Sequence, residues 1–436
     1  MTKTMPLIFH SLLASMLLFG CIEAIQQASW PLTGSSHRTG EGSTNSISPP
    51  IQYRYPFLFL VKIGIGTFDA TSSSPNAKTF KSLNFHLDTG SDISWIQSEG
   101  CKKEGNTCFP QKDPLYPNTR STSYKPIPCN QHSFCQPNHC GGDGSCTFNR
   151  TLGPGSYTSG TLGTETLTLS SSNGKLEALK DIILGFSTDT RNSKYALLTT
   201  MNISNPVSGV LGLGRGPQSF LAQIDSLSDG KFSYCIKENN TQNTYLRFGK
   251  DVRPPKNPQT TKLVQAKTSP AYYVNLLGIS VNGVKLNISK TDFDLKSDGS
   301  GGCVLDSGTM VSLLVMPAFD TLHKALESNL SSNPHLKRVI IHPKHKDLCY
   351  KELSPEGRKQ IPTVKFHLEN ADLEISPGSL FLSGIVPSGD NIICLAILGT
   401  PSRNAIGAFQ QKDHKFVYDT KAQVLSFGPE DCNQDS

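Results

Sequence analysis

The sequence predicts a mainly β protein of two related halves, with a few short helices. Three observations carry that expectation. Short apolar or alternating runs, such as "FLFLVKIGIG", "TETLTL", "YYVNLLGISV" and "KFVYDTKAQVLSFG", are divided by Gly, Ser, Asn and Pro turns, as half-buried strands are. Stretches with apolar residues at three- and four-residue spacing and a proline near the start are few: "QSFLAQIDSL", around 218–227, and "PAFDTLHKALESNL", around 317–330. Finally, each half holds an apolar run that ends in Asp-(Thr/Ser)-Gly, "FHLDTGSDISW" at 85–95 and "VLDSGT" at 304–309. Each is followed later by an apolar run ending in a glycine turn, "VSGVLGLGRG" in the first half and "NAIGAFQQ" in the second.

Taken in order, residues 1–24 have a lysine near the start, an apolar stretch too short to span a membrane, and Ala24 where a signal peptidase can cut. They read as a secretory leader. Residues 25–50 are Ser/Gly/Pro-rich without hydrophobic periodicity and read as a short loose pro-segment or linker. Folded sequence is expected from Ile51, with a first lobe over 51–250, a Pro-rich linker at 251–262, a second lobe over 263–432 and a polar tail at 433–436. No later segment approaches a spanning length, so stable membrane insertion is not expected.

The 436 residues are 36% hydrophobic, enough for two ordinary cores. The net charge of +6 is scattered rather than blocked, which gives no footprint for nucleic acid. Of 12 cysteines, Cys21 falls in the leader, so an odd number remains and one thiol is left over. Six of them (Cys101, Cys108, Cys129, Cys135, Cys140 and Cys146) crowd an insertion at 101–146 whose spacing matches no usual zinc pattern, so disulfides are favoured over a metal. The sequence by itself leaves about fifteen pairings of six cysteines open. Sequons at Asn149, Asn202, Asn239, Asn287 and Asn329 are compatible with the same secretory route, and are candidates for glycosylation.

The chemistry lies in the paired triplets. A carboxylate directly after a strand, followed by a small hydroxyl residue and a glycine, sits on a tight loop that another copy can approach closely. Either triplet alone is an ordinary turn. Two such loops facing each other would place Asp88 and Asp306 a few ångströms apart, where like charges cannot both ionise and one proton is shared. One carboxyl then serves as base toward a water and the other as acid toward a carbonyl oxygen, with Thr89 and Ser307 positioned to brace the opposite loop. Neither a metal nor an organic cofactor is required. Other hydrolase signatures are missing: there is no Gly-X-Ser-X-Gly elbow or His-Glu-X-X-His helix. "HPKHK", with His342 and His345, lacks a third ligand nearby, and "GLGRGP" does not complete a dinucleotide fingerprint.

Over nearly all of residues 51–432 the chain resembles the pepsin-family aspartic proteases, in particular their plant nepenthesin-like branch. The stretches that carry the resemblance are "IGIGT", "LDTGSDISWIQ", the cysteine-rich insertion, "GSYTSGTLGTETLTL", "GVLGLGRGPQSFLAQI", "FSYC", "GGCVLDSGT" and "YDTKAQVLSFGP". The resemblance implies a bilobal all-β fold with a central peptide-binding cleft, and hydrolysis of peptide bonds at acid pH by one water and two aspartates. It implies that Asp88 and Asp306 are the catalytic pair. Thr89, Gly90, Ser91 and Trp95 would support the first loop, and Ser307, Gly308 and Thr309 the second, with the glycine turns at Gly212 and Gly407 beneath them. Peptide or protein substrates and a monomeric state are implied with it. So are the pairings Cys235–Cys432 and Cys349–Cys394, and Cys135–Cys140 nested inside Cys129–Cys146, which leaves Cys101–Cys108.

Four departures qualify the resemblance. The covering hairpin, or flap, expected near 148–160, has Leu152 where the branch places a tyrosine and Pro154 where it places an aspartate, followed by Gly155 and Ser156 after Gly153. Leucine can cover a cleft but has no hydroxyl to meet Trp95, so the expected site works but is weakened. His86 lies two residues before Asp88 and on the same strand face, and reads as a packed histidine. Cys303 replaces a small or β-branched residue and is the expected free thiol. The segment 25–50 is short and poor in basic residues, so activation by prosegment release is not expected. Plant inhibitors of microbial glycosidases share the scaffold and usually damage one catalytic motif, whereas Asp88 and Asp306 are both present. The expected function is therefore an aspartic endopeptidase, with a protease-like inhibitor as the alternative. Secreted, cell-wall and vacuolar destinations are all compatible with it.

Overall fold

Strands are the commonest element of the computed structural model, which describes residues 47–54, 58–69, 79–101, 107–135, 139–153, 156–171, 174–190, 195, 204–237, 244–266, 269–341, 346–385 and 389–432. The leader and the tail, the histidines of "HPKHK", and Pro154, Gly155, Asn202 and Asn239 lie outside them. Contacts divide the described residues into two units, one holding those from 47 to 258 with 270–272 and 413–432, the other holding 259–269 and 273–412.

The first unit is built on a nine-stranded sheet. Leu58–Ile65, buried at every residue but Lys62, pairs antiparallel with Lys81–Asp88, which is buried throughout from Phe85 to Asp88. Lys81–Asp88 then runs parallel to Gly209–Gly212, placing Asp88 opposite Gly212. A side chain at Gly212 would come within 2.4 Å of the Asp92 backbone oxygen, so the glycine is what lets these segments meet. The long strands Ser156–Ser170 and Leu176–Asp189 form a hairpin, and Thr147–Gly153 folds back on the first of them.

A smaller sheet in the same unit aligns Arg247–Phe248, Lys231–Cys235, His414–Asp419 and Val424–Pro429. The rings of Phe232 and Tyr418 stack at 4.5 Å, and the hydroxyls of Tyr234 and Tyr418 meet at 2.8 Å. This corrects the expected lobe boundary. The last strands belong with the first half of the chain, because their aromatic face is completed by Lys231–Cys235 and fixed there by the Cys235–Cys432 disulfide. The folded start also moves upstream. Ile47 and Ser48 are buried, and the Ser48 amide donates to Ser170 at 2.9 Å.

In the second unit Cys303–Asp306 runs parallel to Asn404–Gly407, with Asp306 opposite Gly407. Ser312–Val315 pairs with Ile397–Thr400 beside them. The helix Met316–Leu330 carries Pro317 in its first turn and buries Ala318, Phe319, Leu322, Leu326 and Leu330, the three- and four-residue spacing read in the sequence. The other expected helix breaks at Ile224 into Phe220–Gln223 and Asp225–Ser228. Two four-stranded sheets complete this unit, one of them holding Cys349 opposite Cys394 in a disulfide.

The insertion corrects two expected pairings. Cys101 bonds Cys108, but Cys129 bonds Cys140 and Cys135 bonds Cys146, in place of Cys129–Cys146 and Cys135–Cys140. Cys140 and Cys146 sit side by side in a bridge, so each reaches a different cysteine of the 129–135 turn. Buried Cys146 joins buried Cys135 within the apolar cluster, while exposed Cys140 joins half-buried Cys129 at its rim. Cys303 is the free cysteine among the described residues, and burial pushes its thiol up to about 12.

Candidate active site

Both aspartate loops bind their carboxylates in the same way. The Gly90 amide donates to Asp88 Oδ1 at 2.8 Å and the Ser91 hydroxyl to Oδ2 at 2.6 Å. In the second unit the Gly308 amide donates to Asp306 Oδ1 at 2.8 Å and the Thr309 hydroxyl to Oδ2 at 2.6 Å. Two charge-assisted donors in a tight turn fix the plane of each carboxylate. Asp88 is 6% exposed and Asp306 half-buried, while Thr89 and Ser307 are fully buried beside them.

A second pair of hydroxyls supports each loop from beneath. Ser94 accepts the Gly212 amide at 3.0 Å, and Ser312 accepts the Gly407 amide at 3.0 Å. The backbone bonds differ between the loops: Leu213 donates to the Asp88 carbonyl itself at 2.9 Å, whereas Ala408 donates to the carbonyl of Thr309, three residues beyond Asp306, at 2.8 Å. Ser94 and Ser312 were missed in reading the sequence, although each stands six residues after its aspartate in "DTGSDIS" and "DSGTMVS". That shared offset was the available signal.

The first loop is flanked by an aromatic cluster. Trp95, Phe109 and Tyr195 pack at centroid distances of 5.4 to 6.4 Å, and the Tyr195 hydroxyl lies 2.7 Å from His86 Nδ1. His86 is thus a packed histidine held by a tyrosine. Leu152, half-buried on Thr147–Gly153, packs against the cluster that contains Trp95, Ile93 and Phe148. The indole Nε1 of Trp95 is buried and has no hydrogen-bond partner among the described residues. A buried donor left unmet costs about 1–3 kcal/mol. At the hairpin turn Gly153 has φ +130°, a conformation that side chains rarely adopt, and Ser156 is buried where the chain returns.

Asp92, four residues after Asp88, is half-buried, and burial raises its carboxyl above the ordinary value. The backbone amides of Gln218 and Gly216 and the charge of Arg150 act in the opposite direction. Among the described residues, the sulfurs of Cys129, Cys135 and Cys140 are the group close enough to hold a metal. They are halves of two disulfides and offer no thiolate. Asn149, Asn287 and Asn329 are exposed, and Asn329 already donates to the Ala325 carbonyl at 2.8 Å. No helix among the described residues is long and apolar enough to cross a membrane.

Each unit carries a strand-borne Asp-(Thr/Ser)-Gly loop closed over a glycine turn, the kind of loop aspartic proteases carry, on a pepsin-like, mainly β fold. The sequence matches the family described as xylanase inhibitor N-terminal over residues 76–250, and xylanase inhibitor C-terminal over 271–429. It is similar to aspartic proteinase nepenthesin-1 of Nepenthes gracilis, 30% identical over 86% of this chain and 78% of that one. It is also similar to protein ASPARTIC PROTEASE IN GUARD CELL 2 of Arabidopsis thaliana, 30% identical over 86% of this chain and 72% of that one. Among solved structures the fold resembles that of edgp, with a TM-score of 0.68 and 17% identity over 91% of this chain and 98% of that one. Basic 7S globulin from soybean is similar too, with a TM-score of 0.65 and 16% identity over 89% of this chain and 99% of that one. The chain belongs to the plant nepenthesin-like aspartic protease family.

Proposed function

We propose that the protein is an aspartic endopeptidase that hydrolyses peptide bonds at acidic pH, with Asp88 and Asp306 sharing one proton around a single water. The ionised carboxyl takes a proton from the water as its oxygen bonds to the scissile carbonyl carbon. The protonated carboxyl gives its proton to the carbonyl oxygen. Collapse of the resulting diol breaks the carbon–nitrogen bond, and a proton passes to the departing amine. The observation that carries this reading is the intact, matching pair of donors on each aspartate, a glycine amide and a hydroxyl in both loops.

Leu152 sets the expected level of activity. The Trp95 indole lacks the acceptor a flap tyrosine would bring, so substrate is held less firmly, at a cost of about tenfold to a hundredfold in rate. The same feature, with the family description as xylanase inhibitor, supports a second reading: a protease-like protein that binds and inhibits a glycosidase. The five disulfides among the described residues support a secretory destination, extracellular, cell-wall or vacuolar, and a protein substrate met there by a monomer.

Incubating the purified chain with a denatured protein between pH 3 and 6, beside Asp88→Asn, separates the readings. Cleavage by the wild type and none by the variant is expected. Equal cleavage by both, or xylanase inhibition that survives in Asp88→Asn without any cleavage, would reject the peptidase.

A further inference from the structure

Leu152 cannot fix its hairpin through a polar contact, yet the stem beneath it is not held by apolar packing alone. Along Thr147–Gly153 the side chains alternate. Asn149 and Thr151 are exposed, while Phe148 is buried and Arg150 and Leu152 are half-buried on the other face. Arg150 Nη2 donates to Gln218 Oε1 at 2.8 Å, and Nη1 to the carbonyl of its neighbour Asn149 at 2.9 Å. The Gln218 backbone N–H in turn donates to Asp92 Oδ2 at 3.3 Å.

The segment that Arg150 grips is itself clamped. The Gln218 carbonyl accepts from Gln223 Nε2 at 3.1 Å, and Gln223 Oε1 accepts the Ile183 amide at 2.7 Å. Gly216 lies so close to Asp92 that an added Cβ would sit 2.2 Å from Oδ2, so the loop and this segment have no slack between them. The Ser219 hydroxyl then starts the helix Phe220–Gln223 by accepting the Ala222 amide at 3.1 Å. A polar path therefore runs from the hairpin stem, through Gln218, to a carboxyl four residues beyond Asp88.

We propose that Arg150 is a positioning residue that holds the hairpin stem to the Asp88 loop through Gln218 and Asp92, in place of a hydroxyl contact at position 152. The guanidinium suits the task because it stays charged at every working pH and binds two acceptors from one planar fork. Its charge acts on Asp92 while its hydrogen bond is made to Gln218, so the tether has an electrostatic and a geometric part. The kinetic consequence rests on the peptidase reading; the tether itself does not.

The test uses the full chain and two readouts. Amide hydrogen exchange over 147–153 and 156–160 reports the stem directly, and KM and kcat on a denatured protein substrate report its effect on cleavage. Arg150→Ala is expected to speed exchange about tenfold, the worth of one charge-assisted hydrogen bond, and to raise KM about fivefold with kcat nearly unchanged. Arg150→Lys, which keeps the charge but not the fork, should recover only part of both. Gln218→Ala should match Arg150→Ala, and the double variant should be no worse than either. Unchanged exchange in Arg150→Ala and Gln218→Ala, or losses that multiply in the double variant, would overturn the tether. A wild type that cleaves nothing but shows the expected exchange pattern would support the tether and sink the peptidase reading.

Discussion

The loop that carries Asp88 and the loop that carries Asp306 use the same donors at the same distances, yet the strands that lead into them differ. Phe85, His86 and Leu87 stand where the second unit has Cys303, Val304 and Leu305. The first strand packs its histidine against Tyr195, whose ring joins Trp95 and Phe109 in the cluster that Leu152 packs against. The second fills the equivalent space with a valine and an inert thiol. The difference separates two demands on the sequence. Holding a carboxylate requires particular hydrogen-bonding groups at particular offsets, and both loops keep them. Filling the space behind it requires only volume, so each unit has found its own solution.

The largest way to break the likeness is to remove either carboxylate. Asp88→Asn and Asp306→Asn should each lower kcat on a protein substrate by at least about a thousandfold at pH 4, because neither half performs both proton transfers. Next come the hydroxyls that hold them. Ser91→Ala and Thr309→Ala should cost similar amounts, about tenfold to a hundredfold in kcat; a loss confined to one would show the loops to be unequal in use.

Leu152→Tyr sharpens what is particular to the first loop, since it offers an acceptor to the buried Trp95 indole. A rise in kcat/KM of about tenfold is expected, measured with the same substrate. Ser94→Ala and Ser312→Ala each leave a buried glycine amide unmet and should destabilise by about 1–3 kcal/mol in denaturant titrations, equally in the two loops.

The smallest effect concerns pH. His323 lies on the helix of the second unit, and burial lowers its imidazole below the usual value of 6.5. The unfolded chain therefore binds that proton more readily, and stability is lost as pH falls from the unfolded value through the lower folded one. His323→Gln should gain a few tenths of a kcal/mol at pH 4 and nothing at pH 8, as read from melting curves at the two pH values.

Much of the site was legible because its chemistry is local. Asp88, Ser91, Asp306 and Thr309 act within four residues of one another in each loop, so a triplet and its flanking hydroxyl record the geometry directly. The departure at Leu152 was legible for the same reason. What the sequence concealed depends on contacts between distant segments. Arg150 and Gln218 are 68 positions apart, and nothing in "NRT" announces its partner. The strands after Asp413 join the first unit because their aromatic face meets Phe232 and Tyr234, a match of surfaces rather than of motif. Likewise the insertion pairs Cys135 with Cys146 by burial, where spacing alone left every arrangement open.

The central claim is that the two loops are halves of one catalytic unit. It is tested most directly by comparing Asp88→Asn, Asp306→Asn and the double variant for cleavage of a denatured protein at pH 4. Residues that act as one unit are not additive: the double variant is expected to be no slower than the slower single variant. Losses that multiply in the double variant, or a single variant as active as the wild type, would contradict it.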